Sequence, residues 1–486
     1  APDSAGEWTW TACFRAGKNV AAADDPQTGQ PLAPIDGQHG TLLIHPSDKT
    51  GRDFRSRGRL DYVGQRYLRF AGSGEWFLKC GADAPENFLA YEDFDNTPNH
   101  GNRRKSWQPH LRDWQAGDPT WRDGRGKGII GALNYLATEG LNAVSFIPLT
   151  IEGDDKNVFP YVAEQGPFTR FDCSKLAEWE IVFEHADQLG LYLHFKTLET
   201  ENELLLDGGD LGLERRMYYR ELIARFSHHL ALNWNLGEEI NNASTAQKMS
   251  WAAYFWGHDP YQHHIVIHNG ANHYDLLGPQ SRLTGFSLQT NRSDFAEVHA
   301  QTLNYIRRSQ AAGKPWVVAC DEPGDATHAL RPDADAGNSH TDGRKNALWG
   351  HVMAGVAGLE WYFGYQHAES DLTCQDYRSR DRWWDYCRYL LEFFQNNKVP
   401  FWEMQSQDAL CTATDSYCFC KPDDVYVVYL KHDSQVELDL NAASGKFTVH
   451  WYDPRRGGDL QSGSVASVDG RGTRDLGRPP RSPAED

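Results

Sequence analysis

Three absences frame this chain of 486 residues. No stretch approaches the roughly 18 consecutive apolar residues of a membrane-spanning helix, so nothing is expected to cross a bilayer. Positive charge is in short supply, with 48 Lys and Arg against 67 Asp and Glu and a formal net charge of −19 at pH 7. Nucleic acid and anionic membrane surfaces are bound by clustered Lys and Arg, so neither is an expected partner. A disulfide framework is missing too. The nine cysteines are odd in number, six of them scattered (Cys13, Cys80, Cys173, Cys320, Cys374, Cys387) and three clustered late (Cys411, Cys418, Cys420). The single-residue spacing of "CFC" suits zinc poorly, so buried thiols with at most one disulfide are expected, and no metal or cofactor. The opening "APDSAGEWTW" has neither a charged n-region nor an apolar h-region, so localisation must be read from elsewhere.

What is present is length and aromatic surface. The chain is long for one domain, and a central domain of about 250–350 residues with smaller ones attached is expected. Aromatic residues make up 12 % and include 17 Trp. Large cores use Trp, and sugar rings also stack on Trp faces.

Residues 1–75 hold turn-rich segments ("DDPQTGQPLAPIDGQHG") around short alternating runs ("GTLLIH", "RYLRFAG"), the pattern of a small β-sandwich. Over 76–400 eight strand-like runs alternate with helical periodicity: "EWFLKCGA", "LNAVSFIPLT", "LGLYLHFKTLE", "LALNWNLGEE", "HHIVIHNG", "LTGFSLQTN", "KPWVVACDEPG" and "AGLEWYFGY". Helical segments between them include "KLAEWEIVFEHADQLG", which ends on a capping Gly. Eight alternations predict a parallel (β/α)8 barrel, with a doubly wound open sheet as the other arrangement. Residues 401–475 return to β patterning and predict a second sandwich, followed by a flexible tail over 476–486. The fold class expected is therefore α/β, a TIM barrel flanked by two β-sandwiches.

In such a barrel the chemistry sits at the C-terminal ends of the strands. The fourth run ends in Glu238-Glu239 and the seventh in Asp321-Glu322, while the third continues into His194, Glu199, Glu201 and Asn202. Two carboxylates across a barrel mouth suit glycoside hydrolysis: one protonated acid assists the leaving oxygen while the other attacks the anomeric carbon or activates water. A Glu after a strand can instead cap a helix or pair with Arg. Polar groups placed where substrate hydroxyls would lie are Asn235, His268, Asn269 and Gln289, with Glu86 and Asn87 beyond the first run. Asp154 and Asp155 in "EGDDKN" could hold calcium or simply face solvent. The long polar loop 324–346 is expected to wall the cleft.

The fourth run reads "WNLGEE", which resembles the "W-x-x-G-N-E" context of the strand-4 acid/base in the large clan of retaining (β/α)8 glycoside hydrolases. The resemblance implies Glu239 as acid/base, Glu322 in "VVACDEPG" as nucleophile and Trp361 as the sugar platform. Two positions depart from the clan: Glu238 stands where it usually has Asn, and Gln289 where many members have Tyr. Over nearly the whole chain, "FLKCGADAPENFLAYEDFD", "YYRELIARFSHHLALNWNLGEE" and "ALWGHVMAGVAGLEWYFGY" resemble bacterial proteins with a small N-terminal β domain, a glycosidase-like barrel and a C-terminal module labelled as collagen-binding. That implies a carbohydrate substrate, such as a marine algal galactan, a secreted or periplasmic bacterial location, and leaves a homo-oligomer open. Two other readings stand beside it: a non-catalytic carbohydrate-binding or matrix-adhesion protein, and a polysaccharide lyase built on the same barrel.

Overall fold

The computed structural model describes residues 4–432 and 436–480. All eight expected runs form strands: β1 (Lys79–Asp83), β2 (Ala143–Phe146), β3 (Tyr192–Lys196), β4 (Leu232–Asn235), β5 (His264–Val266), β6 (Gly285–Gln289), β7 (Val317–Glu322) and β8 (Gly358–Tyr362). They make one eight-stranded sheet, every neighbouring pair parallel, in the order β5-β4-β3-β2-β1-β8-β7-β6. A bridge between His268 and Ser287 and a Ser287 N–H bond to the Ile267 carbonyl (3.0 Å) join β5 to β6, so the sheet closes on itself.

The helices lie where the sequence periodicity put them. The segment Cys173–Leu189 begins at Asp172, whose carboxylate accepts from the Lys175 N–H, and stops at Gly190, which takes the left-handed conformation (φ 69°) that releases the chain into β3. Thr245–His258 starts with a complete capping box between Ser244 and Gln247. Asp381–Asn396 turns Trp383, Trp384 and Cys387 toward the outer wall of the barrel.

Antiparallel sheets flank the barrel on both sides in sequence. Near the N-terminus, Gly6–Thr11 pairs with His39–Ile44, Arg15–Ala16 with Gln30–Pro31, and Leu60–Tyr62 with Leu68–Phe70. The last hairpin closes the barrel floor: Phe54, Leu60, Leu68, Phe70 and Phe77 form one apolar cluster with Ala143, Tyr192, Ala231, Val317 and Ala357, all at the N-terminal ends of strands. At the other end of the chain, alternation along Ser416–Lys421 divides its side chains. Tyr417 and Phe419 join the barrel's core, while Cys418 and Cys420 face Leu438, Leu440 and Val468 in the core of the C-terminal β domain. The expected tail 476–486 is described only as far as Pro480, and 481–486 lie outside the described residues.

No disulfide joins the described residues; all nine cysteines are free. Among the described residues no helix is long and apolar enough to cross a membrane.

Candidate active site at the barrel mouth

The turn after β4 sets the two glutamates apart. Gly237 has φ 149°, and a side chain there would strike Ile240, Leu198 and the Leu198 carbonyl, so only glycine lets the chain pass. Glu239 follows in the left-handed region at φ 48°, a conformation that costs a non-glycine residue about 1 kcal/mol or more and that concentrates at functional sites. The carboxylates consequently diverge. Glu238 is buried and accepts from Lys196 Nζ at 2.8 Å. Half-buried Glu239 accepts from Gln289 Nε2 at 2.7 Å, and its carbonyl takes the Thr200 hydroxyl at 2.8 Å.

The end of β7 carries a different device. Leu288 pairs with Cys320 and Gln289 with Glu322, so Asp321 is the extra residue of a bulge and both acids turn inward. They face opposite ways along the barrel axis. Asp321 points down, 2.6 Å from Lys79 Nζ and 2.6 Å from Ser287 Oγ. Glu322 points up, its Oε2 lying 3.2 Å from His268 Nε2. The donor atoms of Glu238, His268 and Glu322 lie within 4.8 Å of one another. The Gln289 amide that donates to Glu239 also acts on Glu322, whose carboxyl it draws slightly down, so the two carboxylates flank one side chain.

Burial is the largest influence on this group. It raises Glu322 to about 8; Lys196 opposes the rise and Glu239 adds to it. Burial likewise raises Glu238 to about 7 against the pull of Lys196. His268 is pushed down, first by burial and then by the Lys196 charge, and so is kept neutral.

A second set of acids rims the same mouth on the side of β1, β2, β3 and β8. Glu86 accepts from the Tyr365 hydroxyl at 2.6 Å, and Glu199 accepts from the Asp154 N–H at 2.9 Å. Burial raises Glu199 to about 9 and lifts Glu86 and Asp371 well above the ordinary carboxylate range, with mutual repulsion adding to the rise.

The remaining sequence candidates separate clearly. Glu201 is exposed on the rim. Asn269 exchanges bonds with the Gln289 backbone (2.5 and 3.3 Å) and so positions Gln289 rather than facing a ligand. Asn235 donates to His194 Nε2 at 2.9 Å, and His194 Nδ1 meets Glu360 Oε2 at 2.5 Å, so both belong to the filled barrel interior instead of the substrate surface expected of them. Asn87 is also corrected: its amide is committed to the Arg103 and Leu372 carbonyls at 3.1 and 2.9 Å, pinning loops together. The platform role of Trp361 fails for a reason of parity. Glu360 faces inward to Lys79, so its neighbour Trp361 faces outward, fully buried against Trp383 with ring centroids 4.4 Å apart. Tyr362 is the aromatic of β8 that turns toward the mouth, where Glu86, Asp371 and Glu322 act on its hydroxyl. Asp155 accepts from Asn157 and is a buried loop strut.

Sequence reading passed over Lys196, Asp83, Tyr362, Tyr365 and Asp371. Lys196 joins Asp83 (3.0 Å) to Glu238 (2.8 Å) and is fully buried. Strand alternation held the signal for three of them, since Lys196 is two residues beyond inward His194, Asp83 is four beyond inward Lys79, and Tyr362 is two beyond Glu360. The long loop after β7 does run along the mouth: Leu330 N bonds the Tyr362 carbonyl (2.9 Å) and Tyr365 N the Ala326 carbonyl (2.8 Å). Elsewhere, a cavity of about 470 Å³ opens between the barrel, at Trp349 and Phe393, and the C-terminal domain, at Val427, Tyr429 and Trp451; no paired carboxylates line it.

Comparison with known proteins agrees with this architecture. Residues 406–485 match the family model described as "Putative collagen-binding domain of a collagenase". No curated protein matches the chain in sequence. Among solved structures, one named "Glycoside hydrolase" is 15 % identical, with a TM-score of 0.61, over 89 % of this chain and 96 % of its own. A glycoside hydrolase family 5 protein from Bacteroides vulgatus ATCC 8482 is 17 % identical, with a TM-score of 0.59, over 89 % and 92 %. A second protein of that strain, described as a "putative glycoside hydrolase", is 15 % identical, with a TM-score of 0.65, over 99 % and 88 %. At such identities the likeness establishes the fold, a TIM barrel with flanking β domains; what the barrel does rests on its site.

Proposed function

We propose that this chain is a glycoside hydrolase of the retaining type, with Glu239 as acid/base and Glu322 as nucleophile. One observation carries the reading: carboxylates delivered by the ends of β4 and β7 flank a single side chain, Gln289, which donates to Glu239 and acts on Glu322. Such a span favours the separation of about 5–5.5 Å used for retention over the 6.5–9.5 Å, roughly, that leaves room for an inverting water.

In the first step Glu239 gives its proton to the departing glycosidic oxygen while ionised Glu322 attacks the anomeric carbon. In the second, Glu239 takes a proton from water, which releases the sugar from Glu322. Lys196 stabilises the negative charge of Glu322, and its bond to Glu238 keeps that third carboxylate beside the reacting pair. Tyr362 supplies the aromatic wall. The substrate is a polysaccharide or oligosaccharide, and a polymer does not cross membranes, which supports a location outside the cytoplasm.

The test is reducing-end release from a panel of algal and plant polysaccharides, algal galactans included, by wild type and by Glu238→Gln, Glu239→Gln and Glu322→Gln. Loss of about 10²–10⁴-fold or more in Glu239→Gln and Glu322→Gln is expected. If Glu238→Gln is dead and Glu239→Gln active, the proton passes through Glu238. Retention of a glycan with no cleavage by wild type overturns the proposal in favour of a binding protein.

A further inference from the structure

Four loops deliver carboxylates to one side of the barrel mouth: Glu86 after β1, Asp154 after β2, Glu199 after β3 and Asp371 after β8. Donor oxygens of Glu86, Asp154 and Glu199 lie within 4.8 Å of one another. That bound is no wider than the diameter of a shell of oxygens at roughly 2.4 Å from a central ion, the distance at which calcium is held.

The cluster is built, and it is unsatisfied. Glu86, Glu199 and Asp371 are each at least 95 % buried. Among the described residues, Oε2 of Glu86, Oε2 of Glu199 and both carboxylate oxygens of Asp371 have no hydrogen-bond partner. A buried carboxylate without a partner costs several kcal/mol, so unpartnered oxygens on two clustered acids, Glu86 and Glu199, with a third unpartnered acid, Asp371, acting on Glu86, call for a ligand that supplies positive charge. The loop is shaped to the carboxylate it carries: a side chain at Gly153 would overlap the Glu199 carboxyl group, with its Cβ 1.8 Å from Oε2. Lys105 Nζ bonds the Asp371 backbone carbonyl at 3.0 Å and leaves the Asp371 carboxylate without a hydrogen bond.

Two other acidic groupings show what a filled site looks like. In the group of His194, Asp321 and Glu360, both carboxylates hold Lys79 Nζ, at 2.6 and 2.9 Å, so an ammonium already sits between them. Glu180, His228 and His229 hold one another in ion pairs, the His229 ring lying between Glu180 and Asp187, so their charges are matched even though, among the described residues, Glu180 Oε2 and His229 Nε2 make no hydrogen bond.

From the mouth cluster we infer that Glu86, Asp154 and Glu199 form a calcium site that ties three barrel loops together beside the catalytic carboxylates, with Asp371 adding negative charge nearby. All donors are oxygen, which selects a hard cation, and three carboxylates that give up their protons to a bound cation are balanced better by a divalent ion than by the single ammonium of an amino sugar. Calcium suits an irregular set of loop donors; magnesium demands a stricter octahedron.

The experiment is calorimetric titration of CaCl₂, and separately of MgCl₂ and glucosamine, into the full chain stripped with a chelator, alongside terbium luminescence excited through Tyr365, whose hydroxyl touches Glu86. Wild type should bind one calcium per chain and light one terbium. Glu199→Gln, nearly isosteric, should weaken calcium at least tenfold, and Glu322→Gln should bind it as wild type does, which separates this site from the hydrolase proposal. Should Glu199→Gln not fold, Asp154→Asn, on an exposed residue, carries the same comparison. No saturable calcium binding, equal binding in wild type and the cluster variant, or saturation by glucosamine in place of calcium would each overturn the inference.

Discussion

Asp321 and Glu322 are chain neighbours, both buried, and they titrate in opposite directions. Burial opposes ionisation of Asp321, yet Lys79, His194 and the Ser287 hydroxyl hold it far below its ordinary value. Burial raises Glu322 to about 8 because the nearest full positive charge, Lys196, is shared with Asp83 and Glu238. The contrast extends to two layers of the barrel. In the lower layer Asp321 and Glu360 meet Lys79 and His194 at 2.5–2.9 Å and are closed off by the apolar floor. In the upper layer Glu238 and Glu322 share Lys196, Asp371 has Lys105, and no lysine among the described residues acts strongly on Glu86 or Glu199; five carboxylate oxygens of Glu86, Glu199, Glu238 and Asp371 are left without a partner there, against one, Glu360 Oε1, in the lower layer. Burial alone does not tell a structural acid from a chemical one; the supply of partners does.

Removing the cation from the lower layer should have the largest effect. Lys79→Met leaves Asp321 and Glu360 buried without their ammonium and should cost about 3–5 kcal/mol, read as the shift in denaturant midpoint. Adding Glu360→Gln to that variant should restore part of the loss. An unchanged midpoint in Lys79→Met would mean the layer does not support the fold.

The matching change in the upper layer should act on chemistry. Activity requires ionised Glu322, so kcat/KM should rise as pH increases through about 8. Lys196 lowers that value, so Lys196→Met should move the limb to higher pH and reduce kcat/KM at pH 7 by roughly tenfold or more. A limb that stays in place would separate Lys196 from the nucleophile.

Stability against pH should show the two layers as opposite slopes. Glu238, Glu322 and Glu199 have folded values raised above the ordinary 4.5, to about 7, 8 and 9. Their contribution is complete below pH 4.5 and is lost as pH rises through those values. Asp321, held below its ordinary 3.8, contributes above that pH and loses its share as acid is added. Thermal midpoints should therefore fall toward both extremes. Glu199→Gln should flatten the alkaline side and Asp321→Asn the acid side; the reverse pattern would refute the assignment of the layers.

The smallest effects separate the two aromatics of β8. Tyr362→Ala should raise KM severalfold with little loss of folding, whereas Trp361→Phe should lower the thermal midpoint and leave KM alone. Equal KM changes would return Trp361 to the substrate surface.

Much of the architecture was legible before any coordinates. The eight strand runs stand out because parallel strands covered on both faces are continuous and apolar, and each is punctuated by a helix with its own caps. Glu238, Glu239 and Glu322 were legible as acids at strand ends. What lay beyond the sequence were features that need a partner strand or a distant loop. The bulge that turns Glu322 inward is a register shift between β6 and β7, invisible in either strand by itself. Asp371 is 285 residues from Glu86, and only the closing of the barrel puts its charge beside that carboxylate.

The sequence by itself determined the order of strands and helices and the candidate carboxylates, because hydrophobic periodicity and capping are local and act within about ten residues, while closure into a barrel needed the contact of β5 with β6. Only the tertiary structure decided which of those carboxylates are neutralised and which are left exposed to a ligand. Desolvation and Coulomb energy depend on distances between strands that are far apart in the chain, and no local pattern records them.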